Sequence, residues 1–229
     1  MKNIGFIIAD EKEFAPLVNY AKTKNGEFSK IYGLTCVIFK LESVKITAIH
    51  CGIGKINATF AATLLAINYN IDIILNFGLS GAISGMNRND IAVGTKFIEH
   101  DFDLSPLGYK QGEKPQDISV YDGDEKLTEI LLSLFPNIKK GVFVSGDQFI
   151  ASKALKKELH EKFAANCVDM ESAAIAYVCH SADIPFLSVR KVSDDAGDEA
   201  TSDYTEMNDK CETDLVDIIT AFLEKQDWV

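Results

Sequence analysis

Three carboxylate-bearing stretches and one glycine turn carry the chemical interest of this chain. In residues 186–200, FLSVRKVSDDAGDEA, an apolar run passes through Arg190 and stops in Ser193-Asp194-Asp195. Ser and Asp commonly close strands in turns. A carboxylate at a strand's C-terminal end also stands where open α/β sheets bind ligands. Asp10, Glu11 and Glu13 follow another apolar run. Acidic residues in the first turn of a helix complement its dipole, which accounts for Glu11. Glu13 is also placed to face the same cleft as Asp194. Two carboxylates with separated roles suit acid–base hydrolysis, one activating water while the other protonates a leaving group.

The third stretch, VDMESAAIAYVCH at 168–180, puts Asp169 and Glu171 at the start of a helix. Capping explains Asp169. Met170 offers a soft apolar surface to an aromatic ring, and a neighbouring carboxylate can accept paired hydrogen bonds from vicinal hydroxyls. Together these residues suit a nucleoside, and the capping reading stands beside that one. CGIGK at 51–55 invites a nucleotide reading but lacks the third glycine of a dinucleotide loop, since Asn57 occupies that place, and it lacks phosphate-loop spacing. It also reads as a tight strand-to-helix turn whose glycines allow close backbone approach.

These residues need a scaffold, and the hydrophobic pattern predicts one. Residues 4–9 read as a buried parallel strand and 11–22 as a helix carrying Phe14, Leu17, Val18 and Ala21. Two β-rich runs, 32–41 and 44–50, flank Glu42-Ser43 as a hairpin. Residues 55–68 form a helix with Ile56, Phe60, Leu64 and Leu65 on one face, and the strand at 73–77 is broken by Gly78-Leu79-Ser80-Gly81. A strand at 91–99 precedes a polar segment, 101–124, long enough to be a functional loop. Helices at 126–135, 153–163 and 170–180 alternate with strands at 141–145 and 186–192, and a closing amphipathic helix spans 207–225. This order predicts one α/β domain over 1–229, its mixed, mostly parallel central sheet flanked by helices. Ligand residues are then expected just after strands.

Composition excludes several function classes. Hydrophobic content of 47% and charged content of 25% suit a globular chain with a substantial core. A net charge of −11 makes nucleic acid an unfavourable partner. The five cysteines, at 36, 51, 167, 179 and 211, show no CxxC pair and read as reduced, buried thiols. The four histidines make no metal-type cluster, so no metal or cofactor is expected. The first apolar run is too short for a signal-peptide core, and no run approaches a membrane span, which predicts a cytoplasmic protein without a membrane partner.

The motifs in order resemble the nucleoside phosphorylase and nucleosidase superfamily, most closely the 5′-methylthioadenosine/S-adenosylhomocysteine nucleosidases. IGFIIADEKEFAPL is similar to their acidic N-terminal motif, HCGIGKINA to their GIGK turn and NFGLSGA to their glycine-rich loop. HDFDLSPLGYKQGEKP resembles their dimer-contributed loop, VSGDQFI their adenine strand, VDMESAAIAYVC their VEMEA helix and VRKVSDDAGD their VRAISDVAD segment. The resemblance implies that Asp194, assisted by Ser193, protonates adenine N7 and that Glu13 deprotonates the attacking water. It implies that Glu171 binds the ribose hydroxyls, Met170 packs on sugar and base, Phe149 stacks near adenine and the Ile150 backbone reads its edge. Arg190 would support the water and carboxylate network, and Leu79 and Gly81 complete the substrate-binding set. In a homodimer, Leu104, Leu107 and Pro115 would line the 5′-alkylthio pocket of the neighbouring subunit, with Tyr204 closing it.

Phosphorylases of that superfamily need cations for phosphate, for which arginine is the usual choice. This chain has only Arg88 and Arg190, with Asn76 opening NFGLSGA and Glu13 placed to repel phosphate. Water is the favoured nucleophile; a phosphorylase and a non-catalytic storage protein of the same fold are the alternatives. Leu79 in place of a serine, Asp169 in place of the first glutamate of VEMEA, and Gly197 in place of an aspartate imply a divergent member with altered preference or reduced activity.

Overall fold

The computed structural model describes residues 1–41, 43–210 and 213–224. Its first half runs β1 (Lys2–Ile8), α1 (Glu11–Thr23), β2 (Glu27–Ile31), β3 (Leu34–Leu41), β4 (Val44–His50), α2 (Lys55–Asn68), β5 (Ile73–Ala82) and β6 (Ile91–Glu99). A single 3₁₀ turn (Ser105–Leu107) then precedes β7 (Tyr121–Asp122), α3 (Glu125–Leu134), β8 (Lys139–Ser145), α4 (Lys153–Phe163) and β9 (Cys167–Asp169). The last elements are α5 (Ser172–Ser181), β10 (Phe186–Asp194), α6 (Ala200–Asp209) and α7 (Asp214–Glu224).

The strands join one sheet in the order β10-β6-β8-β9-β5-β1-β4-β3-β2, with β7 on β6 and a further pairing of β10 with β5. Most ladders around the site are parallel, β1 with β4 and β5, β5 with β10, and β8 with β6 and β9, while β5 meets β9 antiparallel through Gly81 and Val168. Antiparallel pairing brings in the β2–β3–β4 meander and joins β10 to β6. One face of the sheet packs against α1, α3 and α7 through Phe14, Leu17, Leu131, Ile219 and Phe222. The other packs against α2 and α5 through small residues such as Ala58, Ala62, Ala173 and Ala176. β1 is buried from Ile4 onward and β10 along its whole length because both faces are covered. Among the described residues no helix is long and apolar enough to cross a membrane.

Several local expectations change. β5 does not stop at Phe77 but runs on through Gly78 to Ala82, because β10 pairs with it along that length, with a bulge between Val192 and Asp194. β10 likewise extends to Asp194 rather than ending at 192. The short strands β2, β7 and β9 lie where no strand was expected. On α2, Ile56 and Phe60 point outward, 81% and 44% exposed, while Ala58, Ala61, Ala62 and Leu65 face the core. Close packing against α5 demands small residues there, so alanines occupy the buried side. The expected closing helix is two helices, α6 and α7, of which α7 carries the apolar face that seals the core. Glu42, Cys211 and Lys225 lie outside the described residues. Cys36, Cys51, Cys167 and Cys179 are buried free thiols.

Candidate active site

The C-terminal ends of β1, β4, β5, β8, β9 and β10 surround a cavity of ≈ 330 Å³. Asp194 sits on its wall at the end of β10, 2% exposed. Ser193 Oγ donates to Asp194 Oδ2 at 2.7 Å, and the Ala196 N–H donates to Oδ1 at 2.8 Å. Burial raises the Asp194 carboxyl above the usual aspartate range, against the opposing pull of those two hydrogen bonds. Gly81 makes the approach possible, since a Cβ there would lie 3.0 Å from Asp194 Oδ1. Asp195 is the exposed turn residue, its Oδ1 accepting from the Gly197 N–H at 2.9 Å.

Opposite Asp194 a second group of carboxylates gathers around one guanidinium. Arg190, 1% exposed, donates from Nη2 to Asn76 Oδ1 at 2.7 Å and faces Glu171 Oε2 at 3.5 Å. Its Nε lies 3.3 Å from Asp169 Oδ2. Glu171 also accepts from the Gly54 N–H at 3.0 Å. Glu13, in the first turn of α1, accepts from the Leu79 N–H at 2.8 Å. A Cβ at Gly78 would lie 2.5 Å from Glu13 Oε2 and 2.8 Å from Arg190 Nη1, so that position needs glycine. Burial pushes the Glu13 carboxyl up to about 8; Arg190 and the Leu79 N–H pull it back, and the neighbouring Glu171 and Asp10 carboxylates add to the rise. Burial raises Glu171 too, again against Arg190. One guanidinium thus neutralises part of a three-carboxylate cluster, and the remaining carboxyl charge is the expensive one.

The N-cap position of α5 falls on Glu171 rather than on Asp169, which ends β9. The Asp169 Oδ1 nevertheless accepts from the Glu171 and Ser172 N–H groups, both at 3.0 Å, and from Ser145 Oγ at 2.6 Å. The same residue also faces Arg190, so one carboxylate starts α5 and steadies the site. The CGIGK stretch resolves as a turn, with Gly52 and Gly54 at φ of 86° and 99°. Its backbone approaches a neighbour, Glu171, through the Gly54 N–H.

Apolar side chains finish the cavity. Met170, Ile150, Val168, Leu79 and Ile53 line it, and Phe149 meets Tyr204 edge-on with ring centroids 5.5 Å apart. Burial raises the Tyr204 hydroxyl well above its ordinary value. The structure therefore brings Glu13, Leu79, Gly81, Phe149, Ile150, Met170, Glu171, Arg190, Ser193, Asp194 and Tyr204 to one cavity. It does not bring Leu104, Leu107 and Pro115 there; they lie on the 101–124 segment, Leu107 72% exposed. Sequence reasoning missed Asn76 as the anchor of Arg190 and Gly54 as the donor to Glu171. A buried polar residue within the apolar run at 73–77 was the available signal for Asn76. Ala9, Ile53, Gln148 and Val168 also line the cavity without having been singled out.

The profile of the Phosphorylase superfamily matches residues 3–224. A 5′-methylthioadenosine/S-adenosylhomocysteine nucleosidase of Halalkalibacterium halodurans is 32% identical over 231 residues, covering 97% of this chain and 98% of the relative. The Streptococcus pneumoniae MTA/SAH nucleosidase, solved with 8-aminoadenine, superposes with a TM-score of 0.91 at 28% identity, covering 99% of this chain and 100% of that one. The Helicobacter pylori nucleosidase, solved with butyl-thio-DADMe-Immucillin-A, gives 0.94 at 25% identity, covering 99% of each chain.

Proposed function

The chain belongs to the Phosphorylase superfamily, within the 5′-methylthioadenosine/S-adenosylhomocysteine nucleosidase family, and we propose that it hydrolyses the N-glycosidic bond of 5′-methylthioadenosine, S-adenosylhomocysteine or a related adenine nucleoside. The products are free adenine and the 5-substituted ribose. The observation that carries this reading is the opposition, across one cavity, of a buried Asp194 raised towards its acid form and a Glu13–Glu171 pair gathered at Arg190.

The residues divide the work. Adenine lies against Phe149 and the Ile150 backbone, and Met170 packs on sugar and base. Asp194 gives its proton to adenine N7, with Ser193 holding the carboxyl in place, so the base leaves neutral. Glu171 accepts from the ribose 2′- and 3′-hydroxyls. Glu13 takes the proton of the attacking water in its ionised form, which the Arg190 guanidinium and the Leu79 N–H favour against burial. Positive charge developing on the sugar faces the Glu13 and Glu171 carboxylates. Arg190, held by Asn76, Asp169 and Glu171, keeps the two glutamates apart in function.

Water rather than phosphate is the nucleophile. Among the described residues lining the cavity, Arg190 is the one cation beside five carboxylates, and its guanidinium already faces Asp169 and Glu171. The reading includes a homodimer in which Leu104, Leu107 and Pro115 complete the partner's 5′-alkylthio pocket and Tyr204 closes it. Its support is the apolar outer side of α2, where Ile56 is 81% and Ile67 72% exposed, a face that a subunit contact would cover. It also includes a cytoplasmic setting and a role in methionine salvage. Four buried free thiols suit a reducing compartment.

Incubation with methylthioadenosine, with and without phosphate, tests the reading. Phosphate-independent release of adenine is expected. Release only with phosphate, together with a ribose-1-phosphate product, would replace it with a phosphorylase. Binding without release would leave a nucleoside-binding protein.

A further inference from the structure

The cleft is lined by one carboxylate to which hydrolysis gives no task. Asp10, partly buried, borders it as the N-cap of α1, just ahead of Glu13. Capping occupies a single oxygen: Oδ1 accepts from the Lys12 N–H at 2.8 Å and from Asn208 Nδ2 at 3.2 Å. Among the described residues Oδ2 accepts from no group, and no cation pairs with Asp10. Lys12, two positions on, pairs with Asp209 of α6. Asn or Ser caps a helix as well as Asp does, so capping accounts for the side chain and not for its charge.

Its neighbours fix which part of a substrate Asp10 meets. The Asn208 Nδ2 that reaches Asp10 also lies 3.3 Å from Tyr204 Oη, and the Tyr204 ring meets Phe149 edge-on. Asp10, Asn208 and Tyr204 thus form one polar edge, continuous with the side on which adenine stacks. In a nucleoside C5′ stands on the same face of the ribose as the base, so its substituent runs along that edge. The 2′- and 3′-hydroxyls turn to the other face, towards Glu171. A purely alkyl substituent would desolvate the Asp10 carboxylate and give it no partner in return. The guanidinium of the cleft is already engaged by Asp169 and Glu171. We propose that Asp10 determines specificity: its carboxylate pairs with an ammonium on the 5′ substituent, so that the cleft prefers adenine nucleosides carrying one, an inference that rests on the hydrolytic reading above. The homocysteine tail of S-adenosylhomocysteine brings such an ammonium together with a carboxylate, which these acidic walls disfavour. An aminoalkylthio group brings the ammonium alone.

Two nucleosides of nearly equal shape test the assignment, 5′-(2-aminoethylthio)adenosine and 5′-propylthioadenosine, which differ in a terminal ammonium against a methyl. The readout is the ratio of kcat/KM for the amine to kcat/KM for the propyl compound, in which a general loss of catalytic power cancels. Wild-type protein should turn over the amine more efficiently. In Asp10→Asn, which keeps the N-cap, the ratio should fall by about threefold or more, the size expected of an ion pair that is only partly buried. A folded Asp10→Asn protein with an unchanged ratio overturns the proposal. Asp10→Ser, also a capping residue, takes its place where Asp10→Asn fails to fold. Wild-type protein that prefers the propyl compound overturns the proposal without any variant. No adenine released from these two nucleosides or from methylthioadenosine refutes the hydrolytic reading itself, and this proposal with it. Adenine release with a ratio indifferent to Asp10 refutes this proposal alone.

Discussion

Both sides of the cleft raise a carboxyl above its ordinary range by burial, but they set it among different partners. At the end of β10, Asp194 is buried with two hydrogen-bond donors, and Arg88 acts on it only through space. Around Arg190, three carboxylates share one guanidinium, and burial pushes Glu13 to about 8 against the pull of that shared charge. Isolation suits a group that must hold a proton until the base leaves. Crowding around a cation suits groups that must accept hydrogen bonds and face a cationic sugar without driving each other out of the site. A buried carboxylate is therefore assigned its role by what stands within a few ångströms of it, more than by its burial.

Removing the isolated proton donor gives the largest effect. Asp194→Asn keeps the shape, its amide oxygen accepting from the Ala196 N–H and its NH2 donating to Ser193 Oγ, but it has no acidic proton to give, so kcat should fall by ~10²–10⁴. Circular dichroism and thermal melting should show a folded protein. Full activity in the variant would remove Asp194 from the mechanism and erase the distinction between the two sides. On the crowded side the corresponding break is in stability. Arg190→Met leaves Asp169, Glu171 and Glu13 without their shared cation, and stranding a buried charge costs about 3–5 kcal/mol. Urea unfolding measures it; a loss below about 1 kcal/mol would mean that the cluster does not depend on its guanidinium.

How far the sequence revealed this arrangement follows the same division. Asp194, Glu13 and Glu171 each end or follow an apolar run, and in a sheet with parallel strands such positions converge at one edge. Their convergence was legible because strand ends are written in local pattern. What could not be read were contacts between residues distant in the chain and without a motif of their own. Asn76 reaches Arg190 across 114 positions, and Gly54 meets Glu171 across 117. Extension of β5 through Gly78 and Gly81 was hidden for a related reason. Glycines usually break strands, but here β10 supplies the ladder and the missing Cβ atoms make room for Glu13 and Asp194. The orientation of α2 was misread because its buried side is built of alanines, which contribute less to a hydrophobic pattern than the Ile56 and Phe60 it turns outward.

The crowded side can also be read through pH. Glu13 has a folded-state value of about 8 against an ordinary 4.5, so between those limits the folded protein holds a proton that the unfolded chain gives up. Its contribution to stability is complete below about pH 4.5 and is lost as pH rises through 8, with a slope of up to ~1.4 kcal/mol per pH unit. Glu13→Gln should flatten this part of the stability–pH profile of the ligand-free protein. Parallel profiles for the two proteins would place the extra proton elsewhere in the cluster.

The smallest effect tests whether isolation alone governs Asp194. Ser193 Oγ donates to Asp194 Oδ2 at 2.7 Å and so favours the ionised form, opposing the burial that raises it. Ser193→Ala removes that opposition while leaving the Ala196 N–H in place. A hydrogen bond of this kind is worth about 1 kcal/mol net, which corresponds to rather less than one pH unit. The alkaline limb of kcat, where Asp194 loses its proton, should therefore move to higher pH by somewhat under a unit, with kcat at neutral pH changed by less than about tenfold. A limb that moves to lower pH would show that Ser193 stabilises the protonated acid instead. The hydroxyl would then be part of the proton donor, and the strand end, like the cluster around Arg190, would owe its state to a partner.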